Sequence, residues 1–243
     1  MDLGLVDSVC LVTGSTGGIG LETARLLRAE GATVVTTGRS GGDVQADLAQ
    51  RGEPERVVSE TIERHGRLDV LVNNVGGTEI RKLEELGDDD WHASFEINLM
   101  SAIRATQAAL PGMRERGAGT IVNVSSTAAK RPSTGMPDYS VMKAAMLSFC
   151  RLVADLYAKD GIRCNAVTPG PTATQAWLGE GGLADQQGER GEVLAKVASG
   201  RPLGRLAEPE EIAAVIVFLC SPRSSYVTGA AWSADGGTVP III

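Results

Sequence analysis

Three side chains near the middle of the chain have the types and spacing needed for acid–base chemistry on an oxygen atom. Tyr139 and Lys143 are four residues apart, so on a helix they share one face and the ammonium can lie beneath the phenol. A free tyrosine titrates near ~10, and a neighbouring cation favours the phenolate, which lowers the pKa toward neutral pH. Ser126 lies thirteen residues before Tyr139 and ends an apolar run, where its hydroxyl can hold a substrate oxygen against the phenol. The trio predicts proton transfer to or from a carbonyl or alcohol oxygen; an exposed Tyr–Lys pair without function is the alternative.

A glycine-rich turn, TGSTGGIG over 13–20, joins the first apolar run to the first helical segment. Glycines at such a turn let the backbone bend tightly and approach a pyrophosphate, which then rests on the positive N-terminus of the helix. The spacing differs from G-x-G-x-x-G, and no Lys-Ser/Thr follows to make a P-loop. The placement predicts a dinucleotide site, and a purely structural turn is the alternative.

The end of the second apolar run predicts which nicotinamide dinucleotide binds. An acidic residue there normally holds the ribose diol of NAD, but this run ends Thr37-Gly38-Arg39-Ser40. Arg39 can clamp a 2′-phosphate with its planar fork, and Ser40 can add a hydroxyl. We therefore predict NADP(H) in preference to NAD(H), with NAD(H) still possible; a solvated surface arginine is the alternative.

The elements that must position these groups alternate along nearly the whole chain. Short continuous apolar runs, typical of strands buried on both faces, occur at 8–13, 32–37, 68–72, 120–124 and 162–167. Segments with helical spacing lie between and after them, at 20–30, 54–65, 89–115, 139–159 and 209–220. This alternation predicts an α/β fold: a single-domain, Rossmann-type, doubly wound parallel sheet with helices on both faces over residues 1–243.

Segment 172–200 interrupts this pattern with six glycines and scattered charges. Long connections in α/β domains are commonly active-site lids, so we expect this segment to cover the substrate; a plain surface excursion is the alternative. Trp177 and Leu178 in the segment, together with Met136, are the apolar residues expected near the substrate. They predict a mostly hydrophobic pocket, with ordinary loop packing as the alternative.

Composition excludes several other classes of protein. The 243 residues carry a net charge of −7 and only 4% aromatic residues, which argues against nucleic-acid binding. The longest apolar run has nine residues, too short to cross a membrane, and no secretory signal is visible. The four cysteines have no metal-ligand spacing, so we expect buried thiols in a cytoplasmic protein, with no metal site and no disulfide framework. They are Cys10, Cys150, Cys164 and Cys220.

Taken together, these motifs resemble the short-chain dehydrogenase/reductase family from about residue 9 to residue 237. Besides the glycine turn and Tyr139-x-x-x-Lys143, the matching stretches are NNVG at 73–76, INLMS with Asn98, NVSS at 123–126, NAVTPGPTAT at 165–174, PLGRLAEPEEIA from Pro202, VTG at 227–229 and DGG at 235–237. Single motifs of this kind are weak, but this set in the right order and spacing is a strong signal.

The resemblance implies a role for each matching position. Tyr139 would be the catalytic acid/base, Lys143 would tune it and bind the nicotinamide ribose, and Ser126 would orient the carbonyl. Asn98 would hold a water that links Lys143 to solvent. The implied cofactor contacts include Tyr139 and Lys143; the others are Gly14, Ser15, Thr16, Gly18, Ile19 and Gly20 at the pyrophosphate turn, Arg39 and Ser40 at the 2′-phosphate, Asp47 and Leu48 at the adenine, Asn74 and Gly76 at the adenosine, and Pro169, Gly170, Thr172 and Thr174 at the carboxamide.

The family's substrates are small-molecule ketones or secondary alcohols, and the tail motifs look most like the 3-oxoacyl-carrier-protein reductase branch. Asp160 stands where that branch carries a basic residue, although Arg114 and Arg116 could still attract an acidic carrier. We lean toward a small or polyketide-like ketone, with a 3-oxoacyl carrier or coenzyme A thioester as the alternative. A non-catalytic NADP-binding redox sensor is the competing class. The resemblance also implies a homotetramer in which the apolar tail, 239–243, meets a neighbour.

Overall fold

The computed structural model describes residues 2–240, so Ile241–Ile243 of the apolar tail lie outside the described part of the chain. The strands are β1 Val9–Val12, β2 Thr33–Gly38, β3 Gly41–Gly42, β4 Val44–Gln45, β5 Val70–Asn73, β6 Gly119–Val124, β7 Ile162–Pro169 and β8 Ala231–Ala234. The α-helices are α1 Gly18–Ala29, α2 Glu53–His65, α3 Asp88–Phe95, α4 Ser101–Arg116, α5 Pro137–Tyr157, α6 Gln175–Leu178, α7 Arg190–Ser199 and α8 Pro209–Cys220. A π-helical turn at Glu96–Met100 connects α3 to α4.

The strands form one sheet in the order β3-β2-β1-β5-β6-β7-β8, and β4 also pairs with β2. All pairings are parallel except that of β2 with β3. Successive strand residues point to opposite faces, so Leu11 packs into one core cluster while Cys10 and Val12 pack into the other. This explains why the runs are continuously apolar, and the predicted doubly wound α/β fold is confirmed.

Helices cover both faces of the sheet. On one face α2, α4 and α5 contribute Val57, Val58, Ala109, Met113 and Val153 to the core; on the other, α1 and α8 contribute Ala24, Leu27, Ile212 and Ile216. The four cysteines are all buried, as expected. In the described part of the chain, no helix is both long and apolar enough to span a membrane.

Two expectations about the elements were wrong. The helix expected at 89–115 is divided by the π-helical turn into α3 and α4. β8 was not predicted, because its sequence Ala-Trp-Ser-Ala contains no apolar run and its pairing with β7 supplies the order instead. Segment 172–200, for which no elements were predicted, contains α6, a 3₁₀ turn at Asp185–Gln187 and α7.

Candidate active site

The carboxyl ends of β5, β6 and β7 open into one cavity of about 1120 Å³. Asn74 and Gly76 line it just after β5, Ser126 just after β6, and Pro169 at the end of β7. In parallel α/β sheets this edge is where ligands bind, because helix N-termini and loop backbones converge there. The predicted catalytic residues Ser126, Tyr139 and Lys143 all line this cavity.

Tyr139 and Lys143 lie in the first two turns of α5, which begins at Pro137. The Nζ of Lys143 lies 5.6 Å from the centroid of the Tyr139 ring and donates a hydrogen bond of 3.0 Å to the carbonyl oxygen of Val124. The hydroxyl of Ser125 donates to the carbonyl of Lys143 at 2.9 Å, which ties α5 to the end of β6. The structure therefore holds the phenol and the ammonium in one fixed arrangement beside the hydroxyl-bearing loop.

The ionisation of the pair differs from the sequence-based expectation. Burial raises the pKa of Tyr139, and the adjacent Ser126 hydroxyl only partly counteracts this rise. Burial also lowers the pKa of Lys143 to about 8. The expectation that Lys143 lowers the pKa of Tyr139 was wrong for the protein without nucleotide, because desolvation penalises both charged forms. A phenol that keeps its proton at neutral pH is a proton donor, which suits reduction of a carbonyl.

Asn98 is fully buried in the π-helical turn, and its amide is engaged with backbone. Its Nδ2 donates to the carbonyl of Gly77 at 2.9 Å, and its Oδ1 accepts from the Gly77 N–H at 3.0 Å. A Cβ on Gly76 would lie 2.9 Å from both the Asn98 Oδ1 and the Lys143 Nζ. Asn98 therefore anchors the chain after β5 against Lys143, and the water relay implied by the resemblance stays a prediction.

The glycine turn has the shape of a phosphate cradle. A Cβ on Gly20 would lie 2.4 Å from the Gly14 carbonyl oxygen, so only glycine allows α1 to begin this close to the turn. Asn74 holds the turn from the far side, donating from Nδ2 to the carbonyls of Thr13 and Gly14 at 3.0 and 2.9 Å. No side chain caps the N-terminus of α1 at Gly17, which leaves its first N–H groups available to an anion.

The other residues predicted at the turn fall into two groups. Thr16 is exposed and Ile19 lines the cavity, so both are accessible to a bound nucleotide. Ser15 is buried: its hydroxyl donates to the Val12 carbonyl at 2.6 Å and accepts from the Thr37 N–H at 2.9 Å. The structure places Ser15 behind the turn as a support, so the expectation that it contacts the cofactor was wrong for its side chain.

The predicted 2′-phosphate site lies where β2 ends. Arg39 and Ser40 are both exposed, and within residues 2–240 Arg39 forms no ion pair. Asp43, the carboxylate nearest to Arg39 in the sequence, binds other groups: it accepts hydrogen bonds from the N–H and the hydroxyl of Thr36 at 2.9 and 2.7 Å. A guanidinium free of carboxylate is suited to a phosphate.

The predicted adenine contacts are only partly exposed. The carboxylate of Asp47 accepts from the Ala49 N–H at 3.1 Å and is half-buried. Leu48 packs into the core beneath α2, so only its backbone can face a nucleotide. On the nicotinamide side, Pro169, Gly170, Thr172 and Thr174 all line the cavity as expected. The residues present therefore fit a nicotinamide dinucleotide from the glycine turn to α5.

The substrate side of the cavity is more polar than expected. Met136 and Trp177 line it, but Leu178 does not, because its side chain points to solvent at 37% exposure. The prediction of a mostly hydrophobic pocket was wrong, since about half of its lining residues are polar; they include Thr78, Ser133, Gln175, Gln186, Gln187, Arg131 and Arg201. The position of Arg131 between Ser126 and Tyr139 in the chain could have indicated that it lies at the site. Nothing in the sequence indicated the same of Arg201.

Segment 172–200 forms part of this wall and is tied to the chain that follows β5. The Oε1 of Gln186 accepts from the Ile80 N–H at 2.8 Å, which closes one side of the cavity. Arg190 pairs with Asp185 at 2.6 Å and orders the segment internally. The segment is therefore held over the cavity by specific hydrogen bonds, and its role as a lid remains a prediction.

Comparison with known proteins places these features in a family. The chain matches the family model described as Enoyl-(Acyl carrier protein) reductase over residues 14–239. It is 36% identical over 249 residues to the short-chain reductase protein NovJ of Streptomyces niveus, covering 95% of this chain and 94% of that protein. It is 34% identical over 252 residues to the 3-oxoacyl-(acyl-carrier-protein) reductase FabG of Thermotoga maritima, covering 97% of this chain and 99% of that protein. Among solved structures, L-sorbose reductase from Gluconobacter frateurii, in complex with NADPH and L-sorbose, superposes with a TM-score of 0.93 at 34% identity over 100% of both chains.

Proposed function

The chain belongs to the short-chain dehydrogenase/reductase family, in the branch similar to the 3-oxoacyl-carrier-protein reductases, and on that premise we propose that it reduces a ketone with NADP(H), or oxidises the matching secondary alcohol. The observation that carries the proposal is the convergence of Ser126, Tyr139 and Lys143 on one cavity that also reaches the glycine turn. The same observation argues against a non-catalytic redox sensor, because such a protein has no need of the complete proton-transfer set.

The residues around the cavity have separate roles in the proposed reduction. The nicotinamide cofactor, when bound, supplies a hydride to the carbonyl carbon. The hydroxyl of Ser126 holds the carbonyl oxygen, and the phenol of Tyr139 donates its proton to that oxygen as the alcohol forms. Lys143, a buried cation at neutral pH, stabilises the tyrosinate left behind and binds the nicotinamide ribose. Its pKa near 8 keeps it mostly protonated at pH 7.

The preference for NADP(H) is assigned to Arg39. Its guanidinium is exposed at the end of β2, and the only nearby carboxylate in sequence is bound to Thr36. A charge-assisted pair with a 2′-phosphate is worth about 1.5–3 kcal/mol, enough for tenfold discrimination or more. The NADPH complex of the similar L-sorbose reductase supports this choice.

A side-by-side titration of NADPH and NADH on the purified chain tests the cofactor. We expect NADPH to bind at least tenfold tighter, about 1.4 kcal/mol, and Arg39→Gln to remove that difference while leaving NADH affinity unchanged. Arg25→Gln is the matched control, because Arg25 is exposed on α1 and pairs with Glu22. Equal binding of the two cofactors by the wild type contradicts the NADP(H) proposal.

The chemical step is tested separately with Tyr139→Phe. We expect this variant to bind NADPH with nearly unchanged affinity and to lose ketone reduction, because only the proton donor has been removed. Turnover close to that of the wild type would show that Tyr139 is not the acid.

The alternative substrate, a 3-oxoacyl group on an acidic carrier, is less well supported by the surface charges. The Nε of Arg114 pairs with Asp160 at 2.7 Å, and Arg116 lies 3.9 Å from Asp69. Both arginines expected to attract a carrier are thus neutralised within the chain. We therefore favour a small, free ketone; a cytoplasmic location, expected from the cysteine usage, and a homotetramer, implied by the family resemblance, stay predictions.

A further inference from the structure

Two guanidinium groups on the substrate side of the cavity have no carboxylate partner. Arg131 lies on the loop between Ser126 and Tyr139, and Arg201 follows the C-terminus of α7. Both line the cavity that contains Tyr139. Within residues 2–240 neither forms an ion pair within 4.0 Å, although sixteen such pairs occur elsewhere in the described chain.

Arg201 is the more informative of the two. Its Nη1 donates to the Val197 carbonyl at 2.7 Å, which fixes the guanidinium, but its Nε is buried without any hydrogen-bond partner. A buried donor left unpaired costs about 1–3 kcal/mol, so such groups are usually satisfied by a ligand or water. The side chain is therefore held in place with a donor unused.

The repulsion between the two arginines supports the same conclusion. Burial and the nearby positive charge of Arg131 both lower the pKa of Arg201. Like charges brought together in a partly desolvated site are unfavourable unless an anion joins them. The structure therefore keeps an electrostatic cost that a bound anion would relieve.

The carboxylates around the cavity do not supply that anion. Glu79 pairs with Arg81 at 3.1 Å, and Glu180 lies close enough to Arg190 to raise its pKa. On the far side of Arg201, Asp235 accepts from the N–H groups of Gly237 and Val239 at 3.0 Å each. Glu79 and Asp235 thus have their own partners, and Glu180 forms no ion pair with Arg131 or Arg201 within residues 2–240.

The cofactor does not supply the anion either, because its phosphates belong to another part of the cavity. The glycine turn that would hold the pyrophosphate lies where α1 begins, against Asn74 and Thr174. Arg131, in contrast, comes two residues after the 3₁₀ turn at Thr127–Ala129, which starts beside Ser126, whose hydroxyl is proposed to bind the substrate. Arg131 therefore lies on the side of the cavity where Ser126 would hold the substrate, and the proximity of Arg131 to Arg201 places both on that side.

From these observations we infer that Arg131 and Arg201 form a binding site for an anionic group of the substrate, which is a keto acid or a ketone phosphate. This inference rests on the proposed ketone reduction and names the class of ketone. The planar guanidinium of Arg201 offers its free Nε and one terminal nitrogen as a two-pronged donor to a carboxylate or phosphate. The Tyr139 phenol then meets the ketone at the other end of the molecule.

Kinetics with matched substrates test the inference. The keto acids 4-oxopentanoate, 5-oxohexanoate and 6-oxoheptanoate are each compared with their methyl esters, since the series varies the distance between anion and ketone. We expect kcat/KM for at least one acid to exceed that of its ester by about tenfold or more, the change that one charge-assisted hydrogen bond provides. Dihydroxyacetone phosphate and dihydroxyacetone form a second pair that distinguishes a phosphate from a carboxylate.

Variants then locate the effect. Arg131→Gln and Arg201→Gln should each remove most of the preference through a higher KM for the acid, with the ester unchanged within about twofold. Arg201→Lys should keep part of the preference, and Arg25→Gln should keep all of it. The inference is overturned if each ester is reduced with the same kcat/KM as its acid and dihydroxyacetone with the same kcat/KM as its phosphate. The proposed function is unaffected by that result. An equal loss for acid and ester in the variants assigns the arginines a structural role and also overturns it.

Calorimetry separates failure of the inference from failure of the proposed function. If the wild type reduces none of these ketones with NADPH or NADH, the proposed function fails, and binding of 5-oxohexanoate to the NADP⁺-loaded protein decides the anion site. Tighter binding of the acid than of its ester, lost in Arg201→Gln, supports the site. Equal binding of both, or binding of neither, overturns it.

Discussion

Replacing Lys143 with methionine should stabilise the nucleotide-free protein at pH 7 while abolishing reduction. Lys143 is 2% exposed and among the largest fully buried side chains, and the only hydrogen bond its ammonium forms with the described residues goes to the carbonyl of Val124. Methionine has a similar length and volume but carries no charge, so it fills the same space without the desolvation penalty.

The magnitude follows from the depressed pKa of Lys143. One pKa unit corresponds to about 1.36 kcal/mol, so a pKa near 8 in place of 10.5 means that burying the charged form costs the fold about 3 kcal/mol at pH 7. The variant also loses the hydrogen bond to Val124, worth about 1 kcal/mol. The net expectation is a gain of about 2 kcal/mol in the free energy of unfolding, or about 4–8 °C in Tm for a chain of this size.

The advantage of the variant should disappear as the pH rises. Below pH 8 the lysine is charged in both the folded and the unfolded state, and the penalty is fully present. Between about pH 8 and 10.5 the folded state has released the proton and the unfolded state still binds it, so the free energy of unfolding of the wild type rises with pH. At pH 9.5 about 2 kcal/mol of the penalty is gone, which brings wild type and variant to nearly equal stability.

Urea unfolding at pH 7.0 and 9.5, without nucleotide, measures both values. The control is Lys159→Met, which removes an exposed lysine just after α5 and should change stability by less than about 0.5 kcal/mol at either pH. A Lys143→Met protein less stable than the wild type at pH 7.0, or a difference independent of pH, would refute the reasoning. Loss of NADPH-dependent reduction in the same variant would show that the reaction requires the charged Lys143, although burying that charge destabilises the fold.

Three further predictions concern the cradle, the anchor and the pocket wall. Gly20→Ala should weaken NADPH binding by about tenfold or more in a fluorescence titration, because its Cβ would lie 2.4 Å from the Gly14 carbonyl; unchanged affinity would contradict the proposed cradle. Asn98→Leu should lower the free energy of unfolding by about 2–3 kcal/mol, since it leaves the N–H and C=O of Gly77 unpaired, and a change below about 0.5 kcal/mol would refute that anchor role. Leu178→Ala should leave kcat/KM within about twofold because its side chain lies outside the cavity, and a larger loss would return Leu178 to the substrate site.

The strands could be predicted because their positions depend on local composition. Runs such as 8–13 and 162–167 are mostly apolar and lack a regular alternation of polar and apolar residues, which is typical of a sheet buried on both faces. β8 escaped prediction because it contributes two exposed residues, Trp232 and Ser233, and owes its extended shape to pairing with β7. The π-helical turn escaped as well, because its apolar spacing continues that of the helices on either side.

The candidate site divides in the same way. Spacing along the chain placed Tyr139 and Lys143 on one face of α5, since i and i+4 neighbours meet in any helix. It could not reveal that burial raises the pKa of the phenol, because desolvation depends on everything packed around a group. Likewise, the sequence could not show that the Ser15 hydroxyl is hydrogen-bonded to the carbonyl of Val12 and the N–H of Thr37.

The sequence by itself determined the fold class and the glycine turn and pointed to the candidate acid–base residues, because each depends on residue type and on spacing within one element. Only the tertiary structure decided which side chains meet across elements. In the folded chain Leu178 lies outside the cavity, whereas Arg131 and Arg201, seventy residues apart in the sequence, both line it. The physical reason is that contacts between distant segments are set by how helices and loops pack on the sheet, and no local pattern records them.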